Sequence, residues 1–278
     1  MASDPSVFGA GQRGATGSTV HWQELWRHEL EAMLPKAPVV IVPCGSVEQH
    51  GPHCPMDVDI SHTQALAVAT ARAIADFPVV VAPPIWIGLT HYNMGEVGTI
   101  TASAETYIAL VSEICRSIWA NGFKRIVLLN GHGGNRDILR VISIKLAVED
   151  IWALPITYWE MVPDAMREAA DTDGSSVGHG GEWETSLQLY LRPTLIDRPR
   201  AVADPVREPR FSDDVSKFTS FPERRREAAH GVMGNPETAS ASKGEILFTA
   251  ARDRLVDVCR QYHALPVRGY REFGSHCP

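Results

Sequence analysis

Two hydrophobic periods take turns along the chain. Short apolar runs rich in valine and isoleucine occur at PVVIVP (38–43), PVVVAPP (78–84), RIVLLN (125–130) and LPITYW (154–159). Runs of this length, punctuated by proline or glycine and lacking polar alternation, predict strands buried on both faces of a parallel sheet. The segments between them follow a helical period. Over 103–121, Tyr107, Val111, Ile114 and Ile118 share one face, and Gly122 stops the helix. Over 136–149 the apolar face reads as Ile138, Val141, Ile142 and Ala147, and a last long helix is predicted from about Lys243 to Leu265. Strand and helix in alternation predict a parallel sheet covered by helices on both faces.

That topology gives the polar segments a meaning, because ligands of open α/β sheets bind outside the carboxyl ends of the strands. GSVEQHGPHCPMDVD (45–59) follows the first strand, IGLTHYNMGEVGT (87–99) the second and GHGGN (131–135) the third. GHGGEWETS (178–186) opens a further predicted helix. Glu48 and His50 are two apart, so in an extended segment both point the same way. Asp59, at the start of the next helix, can return to the same place. His132 lies among glycines that let the backbone approach closely. His179, Glu182 and Glu184 add an imidazole and two carboxylates. Asp/Glu/His sets without thiolate suit Zn²⁺, Mn²⁺ or Fe²⁺. Three carboxylates and two imidazoles suit two ions about 3.5–4 Å apart.

Taken singly, each piece has a plainer explanation. A Glu-x-His pair is common on surfaces, and GHGGN alone fits a tight turn. It matches neither the dinucleotide GxGxxG nor the P-loop pattern. Cys44 and Cys54 are expected to be buried small hydrophobes. His53 is expected to line the loop, Asp57 to be exposed and His62 to lie on the helix face. Among the tryptophans, Trp159 at a strand end is the pocket candidate. What these explanations leave out is why the segments gather at strand ends.

Composition narrows the class. The chain has 278 residues, 44% hydrophobic and 21% charged, with a formal net charge of −7. An acidic balance without a basic run argues against nucleic acid or an anionic membrane as the main partner. Arg224 to Arg226 are flanked by Glu223 and Glu227, as on a solvated helix face. No segment approaches the ~20 apolar residues of a membrane helix, and residues 1–20 have no signal-peptide pattern. They read as a flexible tail preceding one domain, 21–278, within which 200–240 is an excursion. The five cysteines are scattered and lack a CxxC pair, so a reducing cytoplasm is expected.

GSVEQHGPHCPMDVD, VGTIT (97–101), NGHGGN (130–135), GHGGEWETS and GVMGNPETASASKGEIL (231–247) resemble, in that order, the creatininase family, over residues 20 to 265. The resemblance implies a three-layer α/β/α domain with a central, mainly parallel sheet, commonly assembled into homohexamers. It implies a dinuclear site in which Glu48 and His132 bind one ion, His50 binds the other, and Asp59 bridges. Family members hydrolyse C–N bonds in small cyclic amides or formamides. Others mature a peptide or open a cyclic polyol ketone. Two departures from creatininase stand out. Gly133 and Gly134 replace a tyrosine and a metal-binding glutamate, so the second ion must draw its carboxylate from Glu184, or from Glu182. Ser175 replaces a substrate-loop tryptophan, which suggests a wider, more polar pocket and a substrate other than creatinine.

The expected enzyme is therefore a metal-dependent amidohydrolase with two divalent ions, Zn²⁺ and/or Mn²⁺ with Fe²⁺ as a third candidate, acting through a metal-bridging hydroxide. His179 is the expected acid for the leaving nitrogen, with Glu182 sharing or orienting that role. Thr90, His91, Gly133, Trp159 and Ser175 are the expected substrate contacts. Ring opening of a cyclic ketone or lactone, and metal or ligand binding without turnover, are the alternatives.

Overall fold

A computed structural model describes residues 19–170, 178–204 and 230–267. Residues 1–18 of the expected tail, Ser175, Arg224 to Arg226 and most of the 200–240 excursion lie outside the described residues. The sheet has four parallel strands in the order β2-β1-β3-β4: β1 (Val39–Cys44), β2 (Val79–Val81), β3 (Arg125–Asn130) and β4 (Ala153–Thr157). β2 ends three residues short of the predicted 84. Pro83 and Pro84 carry no N–H and cannot extend a ladder.

Among the described residues the helices are α1 (Arg27–Met33), α2 (Val58–Ala73), α3 (Ala104–Ala120), α4 (Arg136–Ala147), α5 (Pro163–Ala169), α6 (Glu182–Leu191) and α7 (Ala241–Ala264). Ser103 caps α3 by accepting the Thr106 N–H at 3.2 Å, and Gly122 (φ +96°) stops the chain one residue past Asn121. Ser240 caps α7 in the same way, accepting the Lys243 N–H, which sets its start two residues before the predicted Lys243.

Alternation along the strands divides the core. Val39, Ile41, Val127 and Leu129 pack beneath α2, α5, α6 and α7, while Val40, Val42, Ile126 and Leu128 pack beneath α3 and α4. Each such side chain contributes about 1.5–3 kcal/mol by leaving water. On α4 the buried face is Leu139, Ile142 and Leu146. Val141, assigned to that face from sequence, is 50% exposed, as are Ile144 (69%) and Val148 (68%) beyond it. The helix carries two apolar stripes at i, i+3, i+7, and only one meets the sheet.

β1 and β3 are adjacent, with Cys44 level with Asn130. β2 follows β1 on one side and β3 lies on the other, so the strand order reverses between β1 and β3. The loops 45–57 and 131–135 leave the same edge at that switch point, where a ligand site is expected.

Candidate active site

Three imidazoles and three carboxylates converge on this edge, and the three imidazoles share one design. His50 Nδ1 donates to Glu48 O at 3.1 Å, leaving Nε2 facing Asp59 Oδ1 at 3.1 Å and Glu184 Oε2 at 3.5 Å. His132 Nε2 donates to Leu89 O at 3.0 Å, leaving Nδ1 at 3.1 Å from Glu48 Oε1 and 3.0 Å from Asp59 Oδ2. His179 Nε2 donates to Gln49 O at 2.5 Å, with Nδ1 3.5 Å from Glu48 Oε1. A carbonyl only accepts, so in each ring the nitrogen facing it carries the proton. The other nitrogen then points a lone pair at carboxylate oxygens. Only a cation, proton or metal, reconciles that arrangement.

Protonation tendencies express the same conflict. Burial lowers His50, but the Glu184, Asp59 and Glu48 carboxylates outweigh it and hold the ring up at about 9. His132 is likewise raised, against its burial, by Glu48 and Asp59. Burial raises Asp59, yet His50 and His132 pull it below the ordinary carboxylate range. Asp59 Oδ2 accepts no hydrogen bond despite full burial. Among the described residues, donors within 4.8 Å of one another form three candidate ion sites: Glu48, Asp59 and His132; His50, Asp59 and Glu184; Glu48, His50 and His179. The first two share Asp59, and their oxygen and nitrogen donors fit divalent ions of the zinc and manganese type.

Local structure explains the convergence. Asp59 sits in the first turn of α2 and Glu184 in that of α6, where the helix dipole favours carboxylates. Gly180 (φ +62°) turns the chain into α6 and donates its N–H to Glu184 Oε2 at 2.7 Å. Gly134 is so close to Leu89 that a Cβ there would lie 2.0 Å from its carbonyl oxygen. This backbone has no room for a glutamate at 134.

The other expected residues divide. Gly133 and Trp159 line a cavity of about 210 Å³ beside the cluster, together with Glu48, Asp59, His132, His179 and Glu184. Thr90 does not line it; its hydroxyl donates to Glu48 Oε2. His91 does not line it either and is exposed, 3.5 Å from the Thr101 hydroxyl. Glu182 is turned away from the cluster, fully buried against Lys243 Nζ at 2.5 Å. Among the described residues the cavity wall is Trp159, Trp183, Val162, Met166, Leu187 and Leu247. This side of the cavity is apolar because α5, α6 and α7 present Met166, Leu187 and Leu247 to it; the segment with Ser175, on which the expected polar pocket rested, lies outside the described residues.

Of the residues set aside earlier, His53 bonds the Thr185 hydroxyl at 2.8 Å, and burial with the nearby His50 pushes it down to about 4. His62 is buried and pushed down to about 3 by burial. Asp57 forms a two-pronged pair with Arg192 at 2.6 and 2.8 Å. Sequence reasoning missed Asn93, which donates to Glu48 Oε2 at 2.6 Å, and Gln49, whose side chain reaches Gly231 O at 2.8 Å. Nothing local marks either.

The family model described as creatinine amidohydrolase matches residues 23–259. The chain belongs to the creatininase family. A mycofactocin precursor peptide peptidase of Mycolicibacterium smegmatis is 34% identical over 76% of this chain and 80% of its own. The creatinine amidohydrolase of Pseudomonas putida is 30% identical over 80% and 89%. A solved creatininase structure in a manganese form superposes with a TM-score of 0.78 at 28% identity, covering 89% of this chain and 100% of its own. Creatininase family membership and the α/β architecture thus agree with the order of motifs along the chain.

Proposed function

We propose that the carboxyl-edge cluster holds two divalent ions and hydrolyses the C–N bond of a small amide. The chain is a metal-dependent hydrolase of the creatininase family, and its clustered donors fit that chemistry. Solved creatininases carry manganese in one form and a Zn–Zn pair in another, so Zn²⁺ or Mn²⁺ is the proposed occupant. Glu48, Asp59 and His132 would hold the first ion and His50, Asp59 and Glu184 the second, with Asp59 common to both. When bound, such ions polarise the amide carbonyl and bring the pKa of water towards neutrality.

The chain supplies the rest. Leu89 O and the Glu48 carbonyl fix which nitrogen of His132 and His50 faces the cluster. His179 is tied through Nε2, so a proton destined for the leaving nitrogen would be taken up and passed on at Nδ1, the atom 3.5 Å from Glu48 Oε1. Gly133 and Trp159 border the space for substrate, and Met166, Leu187 and Leu247 give it an aliphatic side. A cyclic amide is the first reading. The apolar wall, together with the similarity to a peptide-cleaving relative, favours a peptide amide as the second.

The observation that carries the proposal is the pair of donor sets sharing Asp59. Metal content by mass spectrometry, on wild type and Glu184→Gln purified side by side, tests it. Two ions per chain falling towards one in the variant is the expected result. One ion in both would sink the two-ion reading. Hydrolysis of cyclic amides and of short peptides with apolar residues by the two-ion protein then separates the substrate readings.

We further propose self-association through the outward stripe of α4, Val141, Ile144 and Val148, an exposed apolar row of a kind that marks protein interfaces. A hexamer fits the family habit. A cytoplasmic location fits the free thiols of the four described cysteines. No helix among the described residues is long and apolar enough to cross a membrane.

A further inference from the structure

Glu48, like His50 and Asp59, belongs to two of the three candidate ion sites among the described residues, and its two oxygens are treated differently by the fold. Oε1 faces His132 Nδ1 and His179 Nδ1. Oε2 accepts from the Thr90 hydroxyl and from Asn93 Nδ2, both residues almost wholly buried. A carboxylate only accepts, so the Asn93 amide must present its NH₂ to it. The same loop holds the neighbouring ligand, since Leu89 O receives His132 Nε2–H. It is itself pinned at Leu89 and Thr90. Leu89 N donates to Asn135 Oδ1 at 3.0 Å, whose amide in turn donates to Gly45 O at 3.0 Å, and Thr90 N donates to Thr101 Oγ1 at 3.0 Å.

We infer that Thr90 and Asn93 are positioning residues: by occupying Glu48 Oε2 they present Oε1 alone to the first ion. This rests on the two-ion reading above. The loop after β2 contributes no ligand of its own, yet it fixes the rotamer of one ligand and the ring orientation of another. Thr90 therefore acts through Glu48 and not on the substrate. Outer partners of this kind tune metal affinity by about 10–100-fold. A bare Glu48 carboxylate would be free to rotate, or to bind through both oxygens, and the geometry shared with Asp59 would loosen.

The test measures Zn²⁺ affinity by competition with a chelator on full-length wild type, Thr90→Val, Thr90→Ser and Asn93→Ala. Thr90→Val keeps the side-chain shape and deletes the donor, whereas Thr90→Ser keeps the donor. We expect Thr90→Val and Asn93→Ala each to bind Zn²⁺ about 10–100-fold more weakly, with Thr90→Ser close to wild type. The metal-induced rise in melting temperature should shrink in the same order. Melting of the metal-free proteins checks that the variants are folded. If Asn93→Ala does not fold, the Thr90→Val and Thr90→Ser pair decides alone. Folded variants that hold Zn²⁺ as tightly as wild type would overturn the positioning role and leave the two-ion reading standing. A wild type that binds no Zn²⁺ would overturn that reading itself, and the positioning role with it.

Discussion

Glu182 and Glu184 stand two residues apart in the first turn of α6, and they end in two buried charge clusters of opposite kinds. Positions i and i+2 of a helix point about 200° apart, so the two cannot serve one site. Glu182 meets Lys243 Nζ at 2.5 Å, and Thr238 O accepts from the same ammonium at 2.8 Å. Charge is matched there within the chain. Glu184 faces His50 in a cluster of three carboxylates, where every imidazole already donates one proton to a backbone carbonyl. Negative charge is in surplus there. A buried carboxylate beside its own ammonium is a structural device, while buried carboxylates that outnumber the fixed cations mark the place of an external one.

The strongest blow to this contrast falls on Asp59, whose Oδ1 faces His50 and whose Oδ2 faces His132. Asp59→Asn keeps its size and removes its charge. Turnover should fall at least about 10³-fold, equivalent to ~4 kcal/mol, and metal content should drop below one ion per chain. Retention of both ions, by mass spectrometry, would remove Asp59 from the shared position. The converse variant is Glu182→Gln. It leaves the Lys243 ammonium, 14% exposed, without its carboxylate. Stability should fall by about 3–5 kcal/mol, read from urea or thermal unfolding, while both ions stay. Loss of ions at unchanged stability would invert the assignment of the two glutamates.

What could be read from the sequence follows the range of the interaction concerned. β1 and β3 each hold a short continuous apolar run, and their positions follow from local pattern alone. Glu48, His50 and His132 were legible as a cluster because each lies within a few residues of a strand's carboxyl end, and Asp59 because it opens the helix that follows β1. The partner of Glu182 was not, since Lys243 is 61 residues away and reaches it only once α7 packs on α6. Asn93 was hidden for the same reason, 45 residues from Glu48 in a loop without a motif. The buried face of α4 was misread because Val141, Ile144 and Val148 make a second stripe as apolar as the first. The apolar side of the cavity was not legible because Met166, Leu187 and Leu247 belong to three different helices, and no local pattern places them together.

The mildest probe of the comparison is pH. In the metal-free protein His50 titrates near 9, against an ordinary value of 6.5, because the carboxylates around it hold a proton where an ion would sit. A folded-state pKa above the unfolded one gives stability that is fully present below about 6.5 and lost as pH rises through about 9. Metal-free protein should therefore weaken across that window, by on the order of 2–3 kcal/mol. The ion-loaded protein should respond the opposite way. Ions require unprotonated imidazole nitrogens, so their affinity, and the stability they confer, grows over the same range. Melting curves of metal-free and Zn²⁺-loaded protein from pH 6.5 to 9 should separate as pH rises. Curves that fall in parallel would mean that protons and ions do not compete for the same nitrogens, and the surplus charge of the Glu184 cluster would need another explanation.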